Sequence, residues 1–141
     1  MPESIQFSVD FPVSPERTYH AWLDTYEHSQ FTGKDASISS TPGQEYSSLG
    51  GQVNGQIVTA TPFSHIVQTW KTAEYPPDAP ASEVDIRLEP TCLGCLFTLA
   101  QTGIPDGFSR HVLEIWENAY LRPMKEYFDA LVGDSAVDMD G

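Results

Sequence analysis

Cys92 and Cys95 stand at C-x-x-C spacing. Such a pair performs thiol–disulfide chemistry where it opens a helix, because the helix dipole lowers a thiol pKa. It supplies half of a tetrahedral zinc site where two further ligands lie close. Here the pair falls between two strand-like runs, with Leu93-Gly94 as the expected hairpin turn, and no nearby His or Cys completes four ligands. Structural hairpin cysteines are the expectation, and a cross-strand redox or metal role is the alternative. The histidines, His20, His28, His65 and His111, show no HxH, HxxxH or HExxH spacing, so no metal centre is expected. Gly50, Gly51 and Gly55 do not fit GxGxxG and no helix follows them, so they are read as turn and bulge residues. No GxSxG occurs. Glu114 and Glu117 diverge by about 60° on a helix, with Glu114 towards solvent and Glu117 at the core boundary, so they do not make a two-carboxylate site.

What stands out instead is aromatic. Trp22, Phe31, Trp70, Phe97, Trp116, Tyr120, Met124 and Tyr127 are bulky or adaptable side chains on segments with helix or strand periodicity. Taken singly each reads as core. Together their size and polar handles leave irregular gaps that suit a small apolar ligand.

The elements that must position them follow from periodicity. Ile5, Phe7, Val9 and Phe11 alternate with polar residues, which predicts a half-buried first strand. Ser14-Pro15-Glu16 is a helix start: N-cap, first-turn proline, then an acid at the positive end of the dipole. A second short helix over Asp24 to Phe31 ends near Thr32-Gly33. From Ala36 to Gly103, strands are expected near 36–40, 44–49, 53–61, 65–72, 82–91 and 95–102, separated by Gly and Pro turns. Asp106 to Leu131 predicts a long helix of roughly 40 Å. Its apolar side carries Val112, Trp116, Ala119, Tyr120, Pro123, Tyr127 and Leu131, and Arg110–Glu114, Arg122–Glu126 and Lys125–Asp129 lie at i,i+4 on the other. Pro123 removes one helical hydrogen bond and is expected to kink the helix. The order predicts an α+β helix-grip fold, a curled antiparallel sheet wrapped around the last helix with two short helices closing one end. One domain over 1–132 and a disordered acidic tail over 133–141 complete the expectation.

The net charge is −13, from 20 acids against 7 Lys and Arg. Such a surface repels phosphate backbones and anionic lipid, so nucleic acid and membranes are excluded as expected partners. The charge reads as a solubility device; the scarcity of lysine (Lys34, Lys71, Lys125) also fits a high-salt cytoplasm. No signal-peptide pattern and no membrane-length apolar run is visible, so a cytoplasmic location is expected.

Five stretches, FSVDFPVSPERTYHAWLD, FTGKDASISSTPGQEYSSLGGQVNGQI, HIVQTWK, TGIPDG and EIWENAYLRPMKEYF, resemble the activator of heat-shock protein 90 ATPase-like family. That family belongs to the START, or birch-pollen-allergen-like, helix-grip superfamily. The resemblance runs from about Ile5 to Leu131. It implies a module like the C-terminal domain of the eukaryotic co-chaperone, whose separate N-terminal domain carries much of the chaperone binding. No Asn- and Trp-rich activating motif precedes Phe11. The resemblance also places His28 near the passage that closes the family's cavity, which adds it to the candidate ligand contacts. The expected function is a non-enzymatic module without cofactor or metal, binding a small apolar ligand or docking on a chaperone in stress response. The alternatives are a small enzyme of the same fold, a cyclase or hydrolase using Tyr, His or Glu such as His28 or Glu117, and a chaperone-bound protein with a filled core.

Overall fold

Period-two alternation builds β1 (Glu3–Phe11), with Ile5, Phe7 and Val9 half-buried, Phe11 buried and Ser4, Gln6, Ser8 and Asp10 exposed. Ser14 then caps α1 (Pro15–Leu23), its hydroxyl accepting the Arg17 N–H at 3.1 Å. Asp24 ends that helix and caps α2 (Thr25–Thr32), accepting the Glu27 N–H at 2.9 Å. Gly33, at φ 73°, supplies the left-handed residue that closes α2. The strands β2 (Glu45–Ser48), β3 (Val53–Thr61), β4 (His65–Thr72), β5 (Ser82–Thr91) and β6 (Gly94–Ile104) follow. They form one six-stranded antiparallel sheet in the order β1-β6-β5-β4-β3-β2. The last helix is α3 (Ser109–Ile115), a π-helical turn (Trp116–Leu121) and α4 (Arg122–Asp140). This computed structural model describes residues 2–140, with side chains as far as Gly133. The tail expected over 133–141 thus lies, past Gly133, outside the described side chains.

The architecture is α+β. The sheet curls around the last helix, whose Trp116 ring lies 6.4 Å from Phe7 of β1 and 6.2 Å from Trp70 of β4, while Phe128 lies 5.3 Å from Phe11. Arg17, Glu27 and Tyr127 tie α1, α2 and α4 together: Arg17 donates to both Glu27 carboxylate oxygens and the Tyr127 hydroxyl donates to one of them at 2.8 Å.

Three expectations are corrected. No strand forms over 36–40; the segment makes a single bridge, Ser37 to Ser47, and the Thr25 hydroxyl holds both the N–H and the C=O of Ile38. The β5–β6 turn is Cys92-Leu93, because Gly94 already pairs with Thr91. The apolar side of the last helix is Val112, Trp116, Tyr120, Leu121, Met124 and Phe128, whereas Ala119, Pro123, Tyr127 and Leu131 are only half-buried. The reason is the π turn, where the Arg122 N–H reaches the Glu117 carbonyl five residues back. It immediately precedes Pro123, whose ring and missing N–H disfavour a continuous α-helix there.

Candidate functional site

The helix and sheet bring the predicted aromatic residues into one interior. Trp22, His28, Phe31, Trp70, Trp116, Tyr120 and Met124 are all buried, as is Phe97. α1 and the π turn stack Trp22 on Trp116 at 5.6 Å, and Trp116 meets Tyr120 at 4.7 Å. His28 from α2 lies 4.7 Å from Trp22, 4.9 Å from Phe31 and 5.8 Å from Tyr120. Phe97 sits apart from that group. It packs at 5.5 Å on Phe11, which also receives Phe128. Tyr127 stays at the rim, half-buried, 6.2 Å from Phe31.

Polar side chains thread this interior. His28 Nδ1–H donates to the Trp22 carbonyl at 2.9 Å, which makes Nε2 the acceptor for the Ser48 hydroxyl at 2.7 Å. The Tyr120 hydroxyl in turn donates to Ser48 Oγ at 3.0 Å. Burial lowers the His28 pKa to about 4, against a smaller opposing contribution from the Trp22 carbonyl, so the ring is neutral at pH 7. Burial also pushes the Tyr120 hydroxyl up, so it remains a donor. On the sheet, Trp22 Nε1–H donates to Gln68 Oε1 at 2.9 Å and Trp116 Nε1–H to Gln101 Oε1 at 2.7 Å. Gln101 Nε2 reaches Ser82 Oγ at 2.8 Å, and that hydroxyl donates to the Trp70 carbonyl at 2.7 Å. Among the described residues, two buried donors, Gln68 Nε2 and Trp70 Nε1, have no partner in full hydrogen-bond geometry, although Gln68 neighbours the Tyr46 hydroxyl and Trp70 the Tyr120 hydroxyl.

Ser48, Gln68, Ser82 and Gln101 were not expected in the interior. The signal lay in strand phase. In HIVQTWKT, Gln68 falls between Ile66 and Trp70 on one face, and Gln101 follows Phe97 and Leu99 in the same period.

A serine hydroxyl 2.7 Å from an imidazole has the spacing of a nucleophile and its base. Yet Ser48 and His28 are each 1 % exposed and the Ser48 oxygen is taken by Tyr120, so the arrangement holds elements together and presents nothing to a substrate. Glu117, expected at the core boundary, is exposed like Glu114, because the π turn carries it outward. His111 is half-buried and pairs with Glu74 at 2.8 Å. Cys92 is exposed and Cys95 buried, both free, and burial raises the Cys95 thiol pKa. Among the described residues no three His, Cys, Asp or Glu side chains gather as metal ligands. A cleft of about 410 Å³ lies across β2–β4, bordered by Tyr46, Asn54, Thr69 and Lys71, and one of about 380 Å³ lies between α1 and Ile38–Ser40. Neither borders Trp116 or Met124.

Residues 12–129 match the family described as activator of Hsp90 ATPase homolog 1-like protein. The chain belongs to that family. A curated relative, the activator of 90 kDa heat shock protein ATPase homolog of Dictyostelium discoideum, is 26% identical over 129 residues, which cover 89% of this chain and 33% of the relative. The activator-like chain therefore spans about a third of that relative's length. Among solved structures, an HSP90 activator from Plasmodium falciparum superposes with a TM-score of 0.79 at 19% identity, covering 92% of this chain and 96% of the other. A protein from Mesorhizobium loti superposes with a TM-score of 0.75 at 17% identity, over 91% and 98% of the two chains. At these identities the likeness is one of fold, and the fold is the helix-grip arrangement of the activator-like family. No described helix is long and apolar enough to cross a membrane.

Proposed function

We propose that this activator-like chain is a non-enzymatic module that docks on a chaperone of the heat-shock protein 90 class. Family membership across residues 12–129 carries the reading. The interior supports it, since Trp22, Trp70, Trp116 and Tyr120 pack on one another and the Ser48–His28 pair is sealed from solvent. A cytoplasmic location and a part in stress response go with this partner. Titration calorimetry of the chain against the chaperone from the same source tests it. Saturable binding is expected, and an ATPase assay then asks separately whether binding stimulates turnover. Absence of binding both with and without nucleotide removes the reading.

A small apolar ligand carrying one acceptor oxygen is the second reading. It is favoured by Gln68 Nε2 and Trp70 Nε1, buried donors beside the stacked rings whose neighbours, the Tyr46 and Tyr120 hydroxyls, do not reach full hydrogen-bond geometry. Native mass spectrometry of protein from its source would show the adduct. An apolar fluorescent probe should then lose affinity on Trp116→Ala; an unchanged affinity removes this reading.

A further inference from the structure

We propose that the outer face of the sheet, over β2–β4, binds a free dipeptide by its two charged ends. This inference is independent of the docking reading. It starts from Lys71. Among the described residues, the other half-buried basic side chains, Arg17, His65 and His111, each meet a carboxylate. Lys71 is half-buried and meets none; its ammonium donates to the Ala79 carbonyl at 2.8 Å and keeps two further N–H groups to give. In a chain with 20 acids against 7 basic residues, such a cation is the exception. It stands where two clefts adjoin. One, of about 410 Å³, is bordered by Glu45, Asn54, Gln56 and Thr69, and the other, of about 350 Å³, by Tyr75 and Pro77.

The larger cleft is built into the β3–β4 pairing. Asn54 pairs with Lys71 and Ile57 with Gln68, but the ladder is interrupted between them. There the Gln56 N–H donates to Thr69 Oγ1 at 2.8 Å, and the Thr69 carbonyl accepts the Tyr46 hydroxyl at 2.6 Å instead. Residue 55 must be glycine, since a Cβ there would lie 2.0 Å from that carbonyl oxygen. Held against the β3 backbone, the Thr69 side chain leaves the space above it open and its own O–H free to donate. Asn54 and Gln56 donate through their amide nitrogens to the Gly51 and Gly43 carbonyls, which leaves both amide oxygens as acceptors. Among the described residues, the exposed Glu45 carboxylate meets no basic side chain.

Charge and spacing select the ligand. At net charge −13 the chain repels a net anion, and a bare cation is shared among 20 acids. A zwitterion is net neutral and gains only where both signs stand at its own spacing. Glu45 lies opposite Gln56 and Lys71 opposite Asn54, so the two charged residues sit two strands apart and two residues along. Their Cα atoms are then about 12 Å apart. A single amino acid, with its charges under about 4 Å apart, is too short to meet both. Two extended residues reach about 7 Å, and a charge-assisted hydrogen bond of about 2.8 Å at each end completes the span. The central peptide group also finds partners, the Thr69 O–H for its C=O and the Asn54 or Gln56 amide oxygen for its N–H. With the carboxylate on Lys71, the C-terminal side chain falls towards Tyr75 and Pro77, which favours an apolar residue there.

Titration of the isotope-labelled chain with L-alanyl-L-leucine, followed by nuclear magnetic resonance, reads the site through the side-chain amides of Asn54 and Gln56. Saturable shifts centred on β2–β4 are expected. Acetylating the peptide's amino group, or converting its carboxylate to the amide, should each weaken binding about tenfold or more. L-leucine alone should be weakened as much. Glu45→Gln should abolish the preference over the acetylated peptide only, and Lys71→Met the preference over the amide only. Glu45 is exposed, so its substitution spares the core, and a general loss of stability would not separate the two preferences. Absence of saturable shifts overturns the proposal. So does equal binding of the acetylated peptide, which would mean capture of a protein C-terminus, and so do preferences that survive both substitutions.

Discussion

At His28, an ionisable side chain is held neutral by its surroundings. Its ring is walled by Trp22, Phe31 and Tyr120 and its two nitrogens are committed to the Trp22 carbonyl and Ser48. The folded pKa is about 4, below the value near 6.5 of an unfolded histidine. The unfolded chain therefore binds the proton first, and stability declines as pH falls from about 6.5 towards about 4. The full effect is on the order of 3 kcal/mol. Glu27, held low by the Arg17 guanidinium, contributes stability that begins to be lost as pH falls through the ordinary carboxylate range and is gone once its lowered folded pKa is passed. Urea unfolding followed across that window should thus fall steadily for the parent chain. His28→Gln should cost about 2 kcal/mol at pH 7 through lost packing and hydrogen bonding, but its profile should be flatter between pH 6.5 and 4. Parallel slopes in the two proteins would mean that another group titrates. Tyr120→Phe is the milder companion: losing its hydrogen bond to Ser48 should cost about 1 kcal/mol, because Ser48 keeps His28. His28 was legible in sequence only through family resemblance. Ser48 was not legible, because a serine in a Gly- and Ser-rich run carries no pattern that distinguishes a buried hydroxyl from an exposed one.

At the scale of elements, the π turn decides which residues meet the sheet. From Val112 to Phe128 is a step of 16 residues. On a uniform α-helix that step leaves the two about 160° apart, nearly on opposite sides. Yet both are fully buried. One extra residue in the Trp116–Leu121 turn takes back about 100°, which keeps Val112, Trp116, Tyr120, Met124 and Phe128 on one side. The sequence periodicity was read with a constant 100° step, so it placed Tyr127 where Phe128 belongs. Deleting Ala119 should convert the turn to plain α-helix and drive either Phe128 or Val112 out of the core. A loss of more than about 4 kcal/mol in chemical denaturation is expected. Pro123→Ala should behave differently. Packing on both sides of the turn demands the extra residue, so the turn persists and stability changes by about 1 kcal/mol or less. An unchanged near-ultraviolet signal from the Trp22–Trp116 stack is the check on this variant. The strands were easier to read: 53–61, 65–72 and 82–91 begin and end as expected, because Thr61-Pro62 and the 76–81 connection terminate them unambiguously. The 36–40 segment failed because its backbone groups are claimed by Thr25, a tertiary contact that local pattern does not carry.

At the scale of the molecule, the order strand, two helices, antiparallel strands, long helix was enough to derive the grip. An antiparallel sheet with one apolar face needs a cover, and the last helix was the only segment able to supply it. Charge is the property that this order leaves free, and it sets the remaining prediction. With 20 acids against 7 basic residues, self-repulsion opposes the compact state whenever screening is weak. Raising NaCl from about 0.02 M to about 0.5 M shortens the Debye length from over 20 Å to roughly 4 Å. The unfolding free energy at pH 7.5 should rise by on the order of 1–2 kcal/mol over that range. Above about 0.5 M the two explanations of the acidity diverge. If the charge serves solubility, repulsion is already screened and the curve flattens, apart from the gentle gain that salting-out gives any apolar core. If the surface is adapted to a high-salt interior, stability continues to climb to molar salt, and steeply. A plateau with equal curves for NaCl and KCl is the expected outcome, because the folded chain keeps its hydrogen-bonded interior and needs only to be relieved of its own field.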